Sequence, residues 1–174
     1  MTNLNKSLLA LCMVLGMAGS AAAQTCASPL AYDTPTSGPT ASGDTCTQGS
    51  AVLGDICGAF FENPSPDVLF RFNINPAGPN GFTATNIALT TSSGGFNPIL
   101  AVMGPGGNCD ANAACPRTGS LNGAGAGETV SVAGLAAGSY FLLVSGDGTT
   151  TNCGQYTITA NGTLPVQLKN FSID

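Results

Sequence analysis

The sequence predicts an all-β protein: a two-sheet antiparallel β-sandwich, stapled by disulfides and preceded by a signal peptide helix. The first observation is a series of short segments in which apolar and polar residues alternate, as they do along half-buried strands. The second is the supply of turn residues between them, from 24 glycines and 11 prolines in 174 residues. The third is an even number of cysteines once the N-terminal segment is removed. No later segment shows apolar residues at helical spacing with caps, which argues against an α/β fold.

Residues 1–23 have the three parts of a secretory signal peptide. Lys6 lies in a polar start, an apolar run follows from Leu8 to Met17, and the segment ends in Ala21-Ala22-Ala23. We expect cleavage before Gln24. The apolar run is about half as long as a membrane-spanning helix, so no permanent membrane span is predicted. The protein is therefore expected to be secreted or on the cell surface, with the periplasm as a further location.

The chain divides into three regions on this interpretation. Residues 1–23 are the signal peptide, residues 24–163 form the β-sandwich domain, and residues 164–174 are a C-terminal strand or tail. Removal of the signal leaves 151 residues (174 minus 23), a length that suits one domain with a core of its own.

The charge of the mature chain excludes several classes of partner. Charged residues make up 7% of the chain, against roughly 25% in ordinary soluble domains. Without Lys6, three basic residues (Arg71, Arg117 and Lys169) face nine acidic ones, which gives a net charge of −6 (3 minus 9). Nucleic acid and anionic membrane surfaces are therefore not expected as partners.

The cysteines indicate disulfides rather than metal ligands. Six remain after the signal is removed: Cys26, Cys46, Cys57, Cys109, Cys115 and Cys153. An even count in an exported chain favours three disulfides, and six cysteines permit fifteen pairings. Cys109 and Cys115 are the expected pair, because they close a short loop rich in Gly, Asn and Ala; the other pairings stay open. Since the chain has no histidine and no CxxC pair, a structural zinc site is not predicted.

Four segments carry the clearest strand patterns. Asp67 to Ile74 places Val68, Phe70, Phe72 and Ile74 on one face and Leu69, Arg71 and Asn73 on the other. Asn97 to Met103 and Tyr140 to Val144 are apolar on both faces, which predicts strands covered on both sides, the second of them central in its sheet. Gly154 to Ala160 alternates again, with Tyr156 and Ile158 inward. Tyr140 and Tyr156 are both interpreted as core residues.

Weaker patterns predict further strands at Ser28–Tyr32, Ser50–Leu53, Thr85–Thr90, Thr129–Ala133 and Pro165–Ile173. From Cys26 to Gly58 the chain is rich in Ser, Thr, Gly and Pro, and is either loosely ordered or held by its cysteines. Residues Gly104 to Gly127 form a long loop, which a Cys109–Cys115 clip would keep compact.

The stretch from Asp67 to Gly162 resembles the bacterial pre-peptidase C-terminal domain. The resemblance rests on four segments: Asp67-Val68-Leu69-Phe70-Arg71-Phe72, Gly95-Phe96-Asn97-Pro98-Ile99-Leu100, the run from Gly134 to Val144, and the closing Cys153-Gly154-Gln155-Tyr156-Thr157-Ile158. This resemblance implies a secreted, jelly-roll-like sandwich that serves as a non-catalytic accessory module of exported peptidases. Many members carry an aspartate where Asn97 stands here, so the resemblance does not carry over a calcium site.

Catalytic machinery is not predicted. Without histidine, Ser/His/Asp and Cys/His mechanisms are excluded, and the cysteines are assigned to disulfides. The acids that could form a carboxylate pair lie singly in turns and at strand ends, where Asp usually bonds backbone amides: Asp55, Glu62, Asp67, Asp110, Glu128 and Asp147. A calcium site is also considered, since Asp110 and Asp147 could join backbone carbonyls around the ion. Each lacks a second acid within three residues, so solvated turn residues are the preferred interpretation and no cofactor is predicted.

Two hypotheses for function follow. The first is a non-catalytic secreted or cell-surface binding module that acts through its loops, with Gly104–Gly127 foremost, on a polysaccharide, cell-envelope or protein partner. The second is a structural subunit of an extracellular assembly. In it, Leu164 to Ile173 would pair with the sheet edge of a neighbouring copy by strand addition.

Overall fold

A computed structural model describes residues 26, 28–32, 40–49, 57, 65–74, 84–106, 109, 114–119, 121–148 and 151–162. The predicted signal peptide helix lies outside these residues, as do the predicted strands at Ser50–Leu53 and Pro165–Ile173 and the tail at 164–174. In the part of the chain that the structure describes, no helix has the length and apolar character needed to cross a membrane.

The described residues form strands with one short helix. In chain order they are β1 (Leu30–Ala31), β2 (Thr40–Asp44), α1 (Thr45–Gln48), β3 (Val68–Ile74), β4 (Ala84–Thr91), β5 (Pro98–Met103), β6 (Arg117–Gly119), β7 (Glu128–Ser131), β8 (Gly138–Gly146) and β9 (Gln155–Gly162).

Two sheets are packed face to face, which confirms the predicted sandwich. Sheet A has the order β1-β3-β8-β5-β6, and sheet B has the order β2-β9-β4-β7. All pairs are antiparallel except the two-residue β1, which runs parallel to β3. When the strands are renumbered from one at β2 to eight at β9, sheet B has the order 1-8-3-6. Sheet A, without β1, then has the order 2-7-4-5. This is jelly-roll connectivity.

The main core lies between the sheets. Alternate residues of β3, β4, β8 and β9 point into it and are almost fully buried, among them Phe72, Ile87, Leu142 and Ile158. Burial of each such side chain contributes about 1.5–3 kcal/mol. Phe72 packs against Tyr140 with ring centroids 5.8 Å apart. The period-two pattern of the sequence is therefore the direct cause of the sandwich.

A second, smaller core covers the outer face of sheet A. Leu69, Ala101, Met103, Phe141 and Leu143 point away from the main core, yet each is at most 3% exposed. The sequence pattern placed Leu69 on the same face as Arg71 and Asn73, which are exposed. Strands β5 and β8 are buried on both faces, as predicted, and β8 is the central strand of sheet A.

The cysteines form three disulfides, but the predicted Cys109–Cys115 pair is wrong. The bonds join Cys26 to Cys109, Cys46 to Cys153 and Cys57 to Cys115, with Cα–Cα distances of 5.7, 5.0 and 5.2 Å. Closure of a short loop was the only local argument for pairing Cys109 with Cys115. In the folded chain, however, Cys26 and Cys57 pack on the same second core, so each bond ties the 104–116 region to the N-terminal region.

Strands β2 and β6 and helix α1 were not predicted. Strand β2 contains Ser and Gly and only one apolar residue, and β6 is three residues long, so neither has a readable pattern. Of the two alternatives for the region from Cys26 to Gly58, its described part from Thr40 to Gly49 fits the second. It forms β2 and α1, pairs with β9, and is tied to the start of β9 by Cys46–Cys153.

Candidate functional site

The outer face of sheet B carries mainly uncharged hydrogen-bonding side chains. Because side chains alternate along a strand, the polar positions of the four strands project away from the core together. They are Thr40, Ser42 and Asp44 on β2; Gln155, Thr157 and Thr159 on β9; Asn86 and Thr90 on β4; and Thr129 and Ser131 on β7. Asp44 is the one charged residue among them. This face is the polar half of the pattern that builds the core.

One end of this face is an open groove of about 580 Å³, within the range of roughly 300–1,000 Å³ typical of small-molecule sites. Strand β2 and α1 supply one wall, with Ser42, Gly43, Asp44, Thr47 and Gln48. Strands β4 and β9 and the residue after β4 supply the remainder, with Thr90, Thr91, Ser92, Gln155, Tyr156 and Thr157. The described lining of the groove therefore combines hydroxyls and amides with one carboxylate.

Hydrogen bonds order the wall formed by α1. Asp44 is the N-cap residue, and its Oδ1 accepts from the Cys46 amide at 2.9 Å. Gln48 Oε1 accepts from the Asp44 amide at 3.1 Å and from the Tyr156 hydroxyl at 3.3 Å. A Cβ at Gly43 would lie 2.5 Å from that tyrosine oxygen. Glycine at position 43 thus allows Gln48 and Tyr156 to meet under the wall.

The floor of the groove, formed by the residues of β4 and β9 and by Ser92, is ordered by hydrogen bonds between strands. Ser42 Oγ and Thr157 Oγ1 share a hydrogen bond of 2.8 Å. The Thr91 hydroxyl donates to the Gln155 carbonyl at 2.6 Å, and the Ser92 hydroxyl donates to Gln155 Oε1 at 2.8 Å. Hydrogen bonds between neighbouring residues therefore hold these hydroxyl and amide groups in place.

Tyr156 links the core to the groove. Its ring packs edge-on against Phe70 at 6.2 Å and is 3% exposed, as the sequence predicted, while its hydroxyl reaches Gln48. Burial, with the nearby Asp44 carboxylate as the second cause, raises the pKa of the Tyr156 phenol well above its ordinary value. The phenol therefore stays protonated and acts as a donor to Gln48 at neutral pH.

The residues considered for chemistry from the sequence lie elsewhere. Asp67 is buried in sheet A, where it accepts from the Ser145 hydroxyl at 2.6 Å, and buried Glu128 accepts from the Asn122 amide at 2.7 Å. The Asp147 carboxylate accepts from Asn97 Nδ2 at 3.1 Å. Asp55, Glu62 and Asp110 lie outside the described residues. Among the described residues, no group of three or more His, Cys, Asp or Glu side chains is placed to hold a metal ion.

The Gly104–Gly127 segment, for which the sequence predicts a binding role, is described in part, and its binding role stays a prediction. Its described portion contains β6, and Cys109 is fully buried in the second core. Leu121 is 95% exposed in the turn that precedes β7. The groove on sheet B was missed, because β2 and α1 have no readable pattern. The available signal was the run of Thr, Gln and Asn at alternate positions of β9.

Comparison with known proteins finds no matching family model and no significantly similar curated protein.

Proposed function

We propose that this protein is an exported, non-catalytic binding module that holds a neutral polysaccharide in the groove on sheet B. The observation that carries the proposal is the lining of the groove, where hydroxyl and amide side chains surround a single carboxylate. Sugar hydroxyls both donate and accept hydrogen bonds, and Ser, Thr and Gln side chains offer the matching groups. The fixed cross-strand bonds present these groups in a preorganised array.

The charge and composition of the lining argue against other ligand classes. Among the described residues that line the groove, none is Lys or Arg, so the one charged group that a phosphate or polyanionic ligand would meet there is the Asp44 carboxylate. Arg and exposed aromatic residues are enriched at the centre of protein–protein interfaces. The described lining of the groove contains neither, since its one aromatic residue, Tyr156, has its ring turned into the core. A neutral ligand that hydrogen bonds along its length is the best match.

Two features support export. The three disulfides indicate an oxidising, extracellular environment. The signal peptide pattern at residues 1–23 is in accord with it. The resemblance to the pre-peptidase C-terminal domain also favours an accessory role over catalysis.

The test is binding of the purified mature protein to a panel of neutral and acidic polysaccharides, measured by affinity electrophoresis and calorimetry. We expect binding to at least one neutral polymer. Thr157→Val removes a hydroxyl at the centre of the groove floor, and we expect at least about tenfold weaker binding, equivalent to about 1.4 kcal/mol.

Thr129→Val is the matched control, because Thr129 is exposed on the same face of sheet B but outside the groove. It should leave binding unchanged. Preference for acidic polymers, or equal binding by the two variants, would overturn the proposal.

The alternative role, an extracellular assembly built by strand addition through Leu164 to Ile173, involves residues outside the described part and stays a prediction. A strict monomer in light scattering at high concentration, unaffected by removal of residues 164–174, would rule it out.

A further inference from the structure

The wall of the groove formed by α1 depends on a covalent tie. Helix α1 is four residues long, too short to be stable alone. Cys46 in α1 is bonded to Cys153, which lies two residues before the start of β9 at Gln155, across a sequence separation of 107 residues. The same turn of helix carries Thr47 and Gln48, two residues of the groove wall.

Thr45 of α1 is fully buried, and the remaining attachments of α1 are hydrogen bonds. The Thr45 amide donates to the Gly154 carbonyl at 3.0 Å, and the Gly154 amide donates to Thr45 Oγ1 at 2.9 Å. On its N-terminal side, α1 continues from β2, which is the outermost strand of sheet B and pairs with β9 on one side. Without the disulfide, α1 would be held mainly by its connection to the edge strand β2 and by a few hydrogen bonds. Local opening of this wall would therefore be more frequent.

The three disulfides differ in their access to solvent. Cys46 is exposed and Cys153 is half-buried. The other two bonds belong to the second core, where Cys109 is fully buried and the half-buried Cys26, Cys57 and Cys115 pack against it, so Cys46 is the one exposed cysteine of the six. Thiol–disulfide exchange requires a thiolate to reach one sulfur of the bond, so access controls its rate.

We propose that Cys46–Cys153 is a redox-sensitive latch: a dithiol reductant opens it before the other two disulfides, and its opening releases the α1 wall of the groove. A thiolate of the dithiol attacks Cys46 Sγ, which forms a mixed disulfide and expels Cys153 as a thiolate. The second thiol of the reductant then attacks the mixed disulfide and frees Cys46. The dithiol leaves as a disulfide, two electrons pass to the protein, and the two thiol protons end on Cys46 and Cys153. The partner class is a reduced dithiol oxidoreductase.

The consequence for ligand rests on the proposed function, whereas the latch itself is tested without ligand. The folded mature protein is treated with limiting dithiothreitol, alkylated, and mapped by mass spectrometry. Cys46 and Cys153 should be labelled at least about tenfold faster than the other four cysteines. In the selectively reduced protein, hydrogen exchange at the amides of Thr45, Gly49 and Gly154 should accelerate by about tenfold or more. Exchange in β3 and β8 should not change.

Two double variants provide the control. Cys46→Ser with Cys153→Ser should reproduce the exchange pattern of the selectively reduced protein, whereas Cys57→Ser with Cys115→Ser should leave exchange in α1 as in the wild type. If a variant does not fold, the wild-type labelling and exchange data still decide. The latch is overturned if another pair of cysteines is alkylated first. It is also overturned if amide hydrogen exchange in α1 is unchanged after selective reduction.

Binding separates the two proposals. If the oxidised protein binds no neutral polysaccharide, the proposed function fails, and labelling and exchange still decide the latch. If the oxidised protein binds and the selectively reduced protein binds equally well, the latch does not control the groove and the inference is overturned.

Discussion

At the scale of single residues, Tyr156 shows how one side chain serves both packing and the candidate site. Its ring contributes to the main core beside Phe70, and its hydroxyl donates to Gln48 at the groove wall. The alternation along β9 was enough to predict the buried ring. The contact with Gln48 was not predictable, because it requires the pairing of β2 with β9 and a glycine at position 43.

The raised pKa of Tyr156 predicts a loss of stability at alkaline pH. The unfolded chain gives up the tyrosine proton near pH 10, whereas the folded protein keeps it to higher pH because the ring is buried. The contribution of Tyr156 is therefore fully present below about pH 10 and is lost above it, by about 1.4 kcal/mol per pH unit. Tyr156→Phe should make the decline in the free energy of unfolding shallower by that slope, as measured by denaturant titrations across this range.

Tyr32 provides a second, independent test of the same effect. Its pKa is also raised by burial, so Tyr32→Phe should flatten the profile by a similar amount, and the double variant should flatten it further. At neutral pH, Tyr156→Phe should cost about 1 kcal/mol or less through the hydrogen bond to Gln48. A profile above pH 10 that is as steep in the Tyr156 variant as in the wild type would contradict the prediction.

At the scale of elements, the predictable strands are those whose burial is encoded in period two. Strands β3 and β9 alternate clearly, and β5 and β8 are apolar on both faces because two cores enclose them. Strand β2 instead owes its position to backbone pairing with β9 and to Cys46–Cys153. Such long-range contacts leave no mark in a local pattern, so the β2 wall of the groove could not be predicted, whereas the alternate polar residues of β9 were a signal for its polar face.

The turn that leads into β7 sets the position of this strand beside β4, and Gly127 is the residue that allows it. A Cβ at position 127 would lie 2.2 Å from the Leu89 carbonyl oxygen. Because that oxygen belongs to the backbone of a central strand, it cannot move aside cheaply. We expect Gly127→Ala to lower the free energy of unfolding by about 1–3 kcal/mol, the usual cost of overpacking, in denaturant titrations.

Gly123 is the matched control in the same turn, since a Cβ there would meet no atom within 4 Å. Gly123→Ala should leave stability unchanged or raise it by about 0.4–1 kcal/mol, because alanine restricts the unfolded chain. Equal destabilisation by the two substitutions would show that the approach of Gly127 to Leu89 does not limit the turn.

At the scale of the whole molecule, the sandwich is a layered structure with two cores that are stabilised in different ways. The main core lies between two sheets and is built mainly by strand pairing and packing, with Cys46–Cys153 beside it at the edge of sheet B. In the part of the chain that the structure describes, the second core has a sheet on one side, and two disulfides hold cysteines from distant parts of the chain against it. The count of cysteines predicted three bonds. Their pairing follows from which segments cross the outer face of sheet A, and this depends on the completed fold.

The division into two cores predicts the effect of removing one disulfide. Cys26→Ser with Cys109→Ser places two polar groups in the second core and frees the segment that carries Cys109, so Phe141 and Leu143 should lose part of their cover. We expect a fall of about 2–5 kcal/mol in the free energy of unfolding. An apolar dye should bind more strongly, whereas far-ultraviolet circular dichroism should keep its β signature, because the main core lies on the opposite face of sheet A.

Cys46→Ser with Cys153→Ser is the comparison: it should not increase dye binding, since that bond lies outside the second core. Equal dye binding by the two variants would show that the Cys26–Cys109 bond does not help to cover the outer face of sheet A.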